Sequence, residues 1–118
     1  MRAVTLLALL MLSSCLGQDA ADAAICRDFI HRVCLAPVCS PVTTVVGPGL
    51  PCETTLLART GCASEEFAFK SPSRDKFLGC RLPLLRTSEN REGHPGCENV
   101  TESFDRCPEV VRMLQGLK

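Results

Sequence analysis

Two His-x-x-Cys pairs stand in this chain, His31 with Cys34 and His94 with Cys97. Two imidazole nitrogens and two thiolate sulfurs are the ligand set of a tetrahedral zinc site, so the pairs together name one chemistry the chain could carry. The cysteine count points the other way. Nine cysteines fall in 118 residues, and in an exported chain thiols at that density oxidise to disulfides rather than hold metal. The expectation is that Cys34 and Cys97 are bridged, that His31 faces solvent, that His94 lies in a loop, and that no metal or other cofactor is bound.

The segment from Cys26 to Cys34 resembles in one respect the catalytic helix of secreted phospholipases A2, in which a His stands three residues before a Cys. That resemblance implies an exported hydrolase using His31. In the family an Asp follows the His and adjacent cysteines precede it, whereas here Arg32 follows His31, Cys26 stands alone and no Gly-rich calcium loop lies ahead. The chain has no Cys-x-x-Cys for thiol exchange and no Gly-x-Ser-x-Gly elbow, and two histidines are few bases for a Ser or Cys nucleophile. Glu65-Glu66 reads as a helix start or solvated surface, not as an acid and base couple. Asn99-Val100-Thr101 fits the N-glycosylation sequon, which matters only in a eukaryotic secretory pathway. No catalytic residue is expected, and the protein is read as a non-enzyme.

Near the start, Ala3 to Leu12 is apolar except for Thr5 and is preceded by Arg2. This is the charge-then-apolar order of an export signal, and it is too short to span a hydrocarbon core, which needs about 20 apolar residues. The run closes on Leu12-Ser13-Ser14-Cys15, which resembles the lipobox of bacterial lipoproteins. The resemblance implies that residues 1–14 are a signal peptide that is cut away and that the Cys15 thiol carries acyl chains such as palmitate. Residues 15–21 would then be a short tether, and residues 22–118 one domain outside the cytoplasm. In that family an Asp after the lipidated Cys marks retention in the inner membrane; Leu16 stands there instead, which favours the outer membrane. The competing expectation is an ordinary secretory signal cleaved after Gly17, leaving a secreted, cysteine-rich chain that starts at Gln18.

Loss of residues 1–14 leaves 104 residues, enough for one domain, with 12 Lys plus Arg against 13 Asp plus Glu. That balance provides no basic footprint for nucleic acid. The partners expected are the membrane, through lipid on Cys15, and an unidentified protein or envelope component. Five Phe with no Trp and no Tyr are few large side chains for a core. Eight cysteines remain beyond Cys15, namely Cys26, Cys34, Cys39, Cys52, Cys62, Cys80, Cys97 and Cys107. They read as four disulfides, whose pairing sequence does not select among 105 arrangements. Each bridge adds about 2–4 kcal/mol by restricting the unfolded chain.

The elements that must position these cysteines are mainly helical. Ile25, Cys26, Phe29, Ile30, Val33 and Cys34 share one half of a helical wheel, from Asp22 as N-cap to a limit at Pro37. Cys26 and Cys34 cannot pair within that helix, because eight rises give about 12 Å and a disulfide tolerates about 7 Å between Cα atoms. Pro37 to Pro51 reads as a loop, with β-branched Val42 to Val46 as a short extended segment and Phe67 and Phe69 as its partner strand. Further helices are expected over Glu53 to Thr60, with Leu56 and Leu57 buried, and from a Ser73 cap until Pro83 breaks the pattern. Two more run from Glu98 to Arg106 and from Pro108 onward, the last with Val110, Met113, Leu114 and Leu117 on one face, while Thr87 to Gly96 reads as a polar loop. The fold expected is a mainly α, disulfide-stapled domain of four or five short helices with a minor two-stranded β element.

Overall fold

The computed structural model describes residues 20–36, 38–85 and 94–117. The signal segment, Cys15, most of the tether, Pro37 and most of the Thr87 to Gly96 stretch lie outside the described residues. Among the described residues there are six helices and no strand: α1 (Asp22–Leu35), α2 (Ser40–Val46), α3 (Cys52–Thr60), α4 (Arg74–Leu85), α5 (Cys97–Arg106) and α6 (Pro108–Leu114).

Helix α1 is the centre. Ile25, Cys26, Phe29, Ile30 and Val33 are fully buried, as the 3–4 spacing of their apolar side chains requires, and α1 packs on α3 and α4. Helix α5 lies against α4, while α2 and α6 close the remaining side against α3 and α5. Four of the five Phe rings form one contact chain. Phe29 lies 4.8 Å from Phe77, Phe77 lies 4.4 Å from Phe69, and Phe69 meets Phe67 edge-on at 5.1 Å. The few large side chains are thereby gathered between α1, α4 and the segment joining α3 to α4, where ring contact adds to area burial.

The β element expected at Val42 to Val46 is not there; those residues belong to α2. Val42, Val45 and Val46 are all buried at helical spacing, and Pro41, in the first turn, has its φ already fixed for a helix. The Thr43 and Thr44 hydroxyls donate to the carbonyls of Cys39 and Ser40 at 3.2 and 3.0 Å. At the far end the Arg59 guanidinium donates to the carbonyls of Val45 and Val46 at 2.8 and 2.9 Å, closing helix acceptors that have no partner of their own. Burial on one face thus outweighs the extended preference of a valine-rich run. Phe67 and Phe69 do alternate, half-buried around an exposed Ala68, but the Phe69 N–H donates to the Asp22 carboxylate at 3.0 Å instead of to a neighbouring strand.

Other boundaries moved for local reasons. Asp22 is the first residue of α1 and not its cap, because its carboxylate is held by Phe69 and Arg74. Helix α4 continues through Pro83, whose ring is buried. The carbonyl that a Pro83 N–H would have met belongs to Gly79, an exposed residue where water can take the bond. Gly61, at φ +79°, ends α3 as expected from the sequence; Leu56 beneath it is fully buried, whereas Leu57 is half-buried. Pro108 opens α6, and Val110 and Leu114 are buried there. Leu117 is 56% exposed, because α6 stops at Leu114 and the chain turns at Gly116, at φ +77°.

Phe77 touches two other rings in the core. Phe77→Ala is expected to lower unfolding free energy by about 3–5 kcal/mol, measured by urea denaturation of the oxidised protein; a loss below about 1 kcal/mol would contradict this packing.

Candidate functional site

All eight cysteines of the described residues are paired. Cys26 joins Cys62 and Cys34 joins Cys52, both with Cα atoms 5.8 Å apart. These two bridges fix both ends of α3 to one face of α1. Cys39, just before α2, joins Cys97 at the start of α5 across 5.2 Å, and Cys80 of α4 joins Cys107, between α5 and α6, across 6.0 Å. Every bridge links different segments, as the helical spacing demanded.

The zinc ligand set is dissolved by this pairing, because Cys34 and Cys97 hold no thiolate. Among the described residues no group of three or more His, Cys, Asp or Glu is placed to hold a metal ion. His31 lies on the exposed side of α1, with Nδ1 3.3 Å from the Glu53 carboxylate at the start of α3. Both side chains are about half exposed, so the contact is a surface pair beside the Cys34–Cys52 bridge. His94 places Nδ1 3.1 Å from the carbonyl of Pro95. Glu65 and Glu66 are exposed, and Glu65 pairs with Arg27 at 3.0 Å.

Asn99 is buried, and its Oδ1 accepts the Gly96 N–H at 2.9 Å at the start of α5. The folded domain therefore withholds the Asn99 amide from a glycosylating enzyme. An Asn three residues into a helix can reach back to cap the residue before it, and that spacing was readable in the sequence.

Sequence reasoning missed two charged clusters. Asp28, on α1, holds the Arg32 Nε at 2.9 Å and also lies 3.6 Å from Nη1 of Arg81 on α4. The Arg81 side chain is only 7% exposed, and its Nε–H has no hydrogen-bond partner among the described residues. One carboxylate thus serves two guanidinium groups between α1 and α4. The second cluster is Asp22, which accepts from the Phe69 N–H and pairs with Arg74. The backbone N–H, with the guanidinium as the second cause, holds the Asp22 carboxyl below its ordinary range, against the opposing effect of burial.

The largest concavity among those described is an open groove of about 610 Å³ between the end of α3, the segment at Lys70 and Ser71, and α6. Arg59, Lys70 and Arg112 line it together with Met113 and Leu117, and Glu109 is the carboxylate in its wall. His31 does not line it. No periodicity in the sequence points to this groove, because its cations come from three separate segments.

No family model, curated protein or solved structure matches the chain.

The Asp22 cluster makes stability depend on acid. Its folded pKa is depressed, so its contribution is complete above the unfolded value of about 3.9 and is lost as pH falls through the lower folded value. Urea midpoints of the wild type and of Asp22→Asn are expected to differ at neutral pH and to converge below about pH 4. A difference that stays constant through that range would contradict the assignment.

Proposed function

We propose that this chain is an exported lipoprotein, held to a membrane by acyl chains on Cys15, whose helical domain is a binding or envelope-structural module and not an enzyme. The observation that carries the reading is the arithmetic of sulfur. Eight of the nine cysteines are paired with one another, so Cys15 has no partner within the chain. Its position is the one at which the lipobox resemblance places the acylated thiol, and thioether formation needs a thiol that no disulfide has consumed.

Two further observations support this reading. Four disulfides form and persist in an oxidising compartment, which agrees with export. No helix among the described residues is long and apolar enough to cross a membrane, so attachment would fall to lipid. The outer membrane, which Leu16 favours by the same resemblance, is the membrane proposed. The non-enzymatic role rests on the sequence, in which no catalytic motif is found; His31, with Nδ1 3.3 Å from Glu53 on an exposed helix face, is the residue through which it is tested.

Intact mass of the protein purified from its own envelope tests the anchor. The expected species begins at an acylated Cys15; a chain beginning at Gln18 would replace the lipoprotein reading with simple secretion. His31→Ala is expected to leave partner binding and any ester hydrolysis by the protein unchanged, within twofold. A hydrolysis rate abolished by that change would return the chain to the hydrolases.

A further inference from the structure

We propose that the Cys34–Cys52 bridge, closed at rest, is a site of thiol–disulfide exchange, opened by a protein dithiol that docks on the exposed apolar residues around it. The lipid on Cys15 takes no part in this exchange.

Of the four bridges this one alone lies outside the core. Cys26 and Cys62 are fully buried, and Cys39 and Cys80 are at most 5% exposed, so each of the other three bridges has at least one half that a second protein cannot approach. Cys34 and Cys52 are both half-buried. Exchange needs access to a sulfur, and accessible bridges are the labile ones. The two cysteines are 18 residues apart in sequence, so no Cys-x-x-Cys marks the site.

The chain around the bridge is apolar where it meets solvent. Leu35 follows Cys34, Leu50 stands two residues before Cys52, and Val38 lies in the link from α1 to α2. They are three of the six large apolar residues exposed among the described residues. The Cys34 and Cys52 Cα atoms are 5.8 Å apart, so Leu35 and Leu50, one and two chain steps away, stand within about 17 Å of each other. One protein surface covers that span. His31 and Glu53, in contact at 3.3 Å, form the polar edge, one a turn before Cys34 and the other next to Cys52. An apolar patch with a reducible bond at its centre fits a partner whose own dithiol is set in an apolar surface.

The helix ends give the exchange a direction. Cys52 is the first residue of α3, a nine-residue helix with no side-chain cap. The Thr55 N–H, bonded to Pro51 at 3.1 Å, closes its first turn, and the N–H groups of Cys52, Glu53 and Thr54 precede that bond at the end of a helix where a thiolate is stabilised. Cys34 stands in the last turn of α1, at the carbonyl end, where a negative charge is disfavoured. Cys52 is therefore the leaving group. The partner's thiolate attacks Sγ of Cys34, a partner–Cys34 disulfide forms as the Cys34–Cys52 bond breaks, and the electron pair departs on Cys52 Sγ, which takes a proton from water. The partner's second thiol, on losing its proton, attacks the partner's first sulfur and releases Cys34 as a thiolate that is protonated in turn. Two electrons pass to the domain, and the partner keeps the disulfide. The opening is local, because Cys62 still holds the end of α3 to Cys26, Arg59 holds α3 to α2, and Leu56 stays in the core.

Reduced thioredoxin and dithiothreitol serve as the two probes, with free thiols of the processed protein alkylated at intervals and read by peptide mapping. Both are expected to open Cys34–Cys52 at least about tenfold faster than any other bridge. A thioredoxin variant lacking its second cysteine is expected to be trapped on Cys34 and not on Cys52. Leu35→Asp combined with Leu50→Asp, its four bridges verified by mass beforehand, is expected to slow the thioredoxin reaction at least about fivefold and to leave the dithiothreitol rate within about twofold of the wild type. A different bridge opening first, all four opening together, capture on Cys52, or an equal effect of the two substitutions on both probes would each overturn the proposal.

Discussion

The fold depends on the constraint that Cys26 and Cys34 impose on α1. Eight residues apart on its buried face, they hold the two ends of α3 through Cys62 and Cys52. A chain with five Phe and neither Trp nor Tyr has little large apolar area to drive collapse, and small cores are marginal. Cross-links compensate from the other side of the equilibrium, by restricting the unfolded chain. They leave the helices free to be short. Helices α2 and α6 have seven residues each, below the length at which an isolated helix persists in water. They stand because Cys39–Cys97 and Cys80–Cys107 hold the chain where each begins, and because Val45, Val46, Val110 and Leu114 are buried against their neighbours.

Inside that frame, charged side chains act as ties between elements more than as chemistry. Arg59 of α3 closes the end of α2, Asp22 of α1 fixes the approach to α4, and Asp28 of α1 meets Arg81 of α4. The last of these is costly: a buried guanidinium with an Nε–H unbonded among the described residues pays a desolvation penalty that a shared carboxylate only partly offsets. Its effect is to fix how α4 sits against α1.

What could be read in the sequence was local or periodic. The buried stripe of α1 shows in the spacing of Ile25, Phe29 and Val33, the end of α3 shows in Gly61, and the start of α6 shows in Pro108. The inability of Cys26 and Cys34 to join each other follows from helix rise alone. What could not be read depended on partners distant in sequence. Val42 to Val46 looks extended until Arg59 supplies the cap and the core supplies the burial. Pro83 looks like a terminator until Gly79 proves exposed. Arg81 looks like a surface cation until α1 covers it. The basic groove was hidden for the same reason, as was the pairing of the cysteines, which depends on topology and not on spacing.

The account stands on the four cross-links and the one cysteine they leave over, and peptide mapping of the native protein without reduction tests it most directly. The result predicted is four linked peptide pairs, Cys26 with Cys62, Cys34 with Cys52, Cys39 with Cys97 and Cys80 with Cys107, with Cys15 in none of them. Free thiols among those eight residues, or Cys15 recovered in a bridge to any one of them, would contradict it.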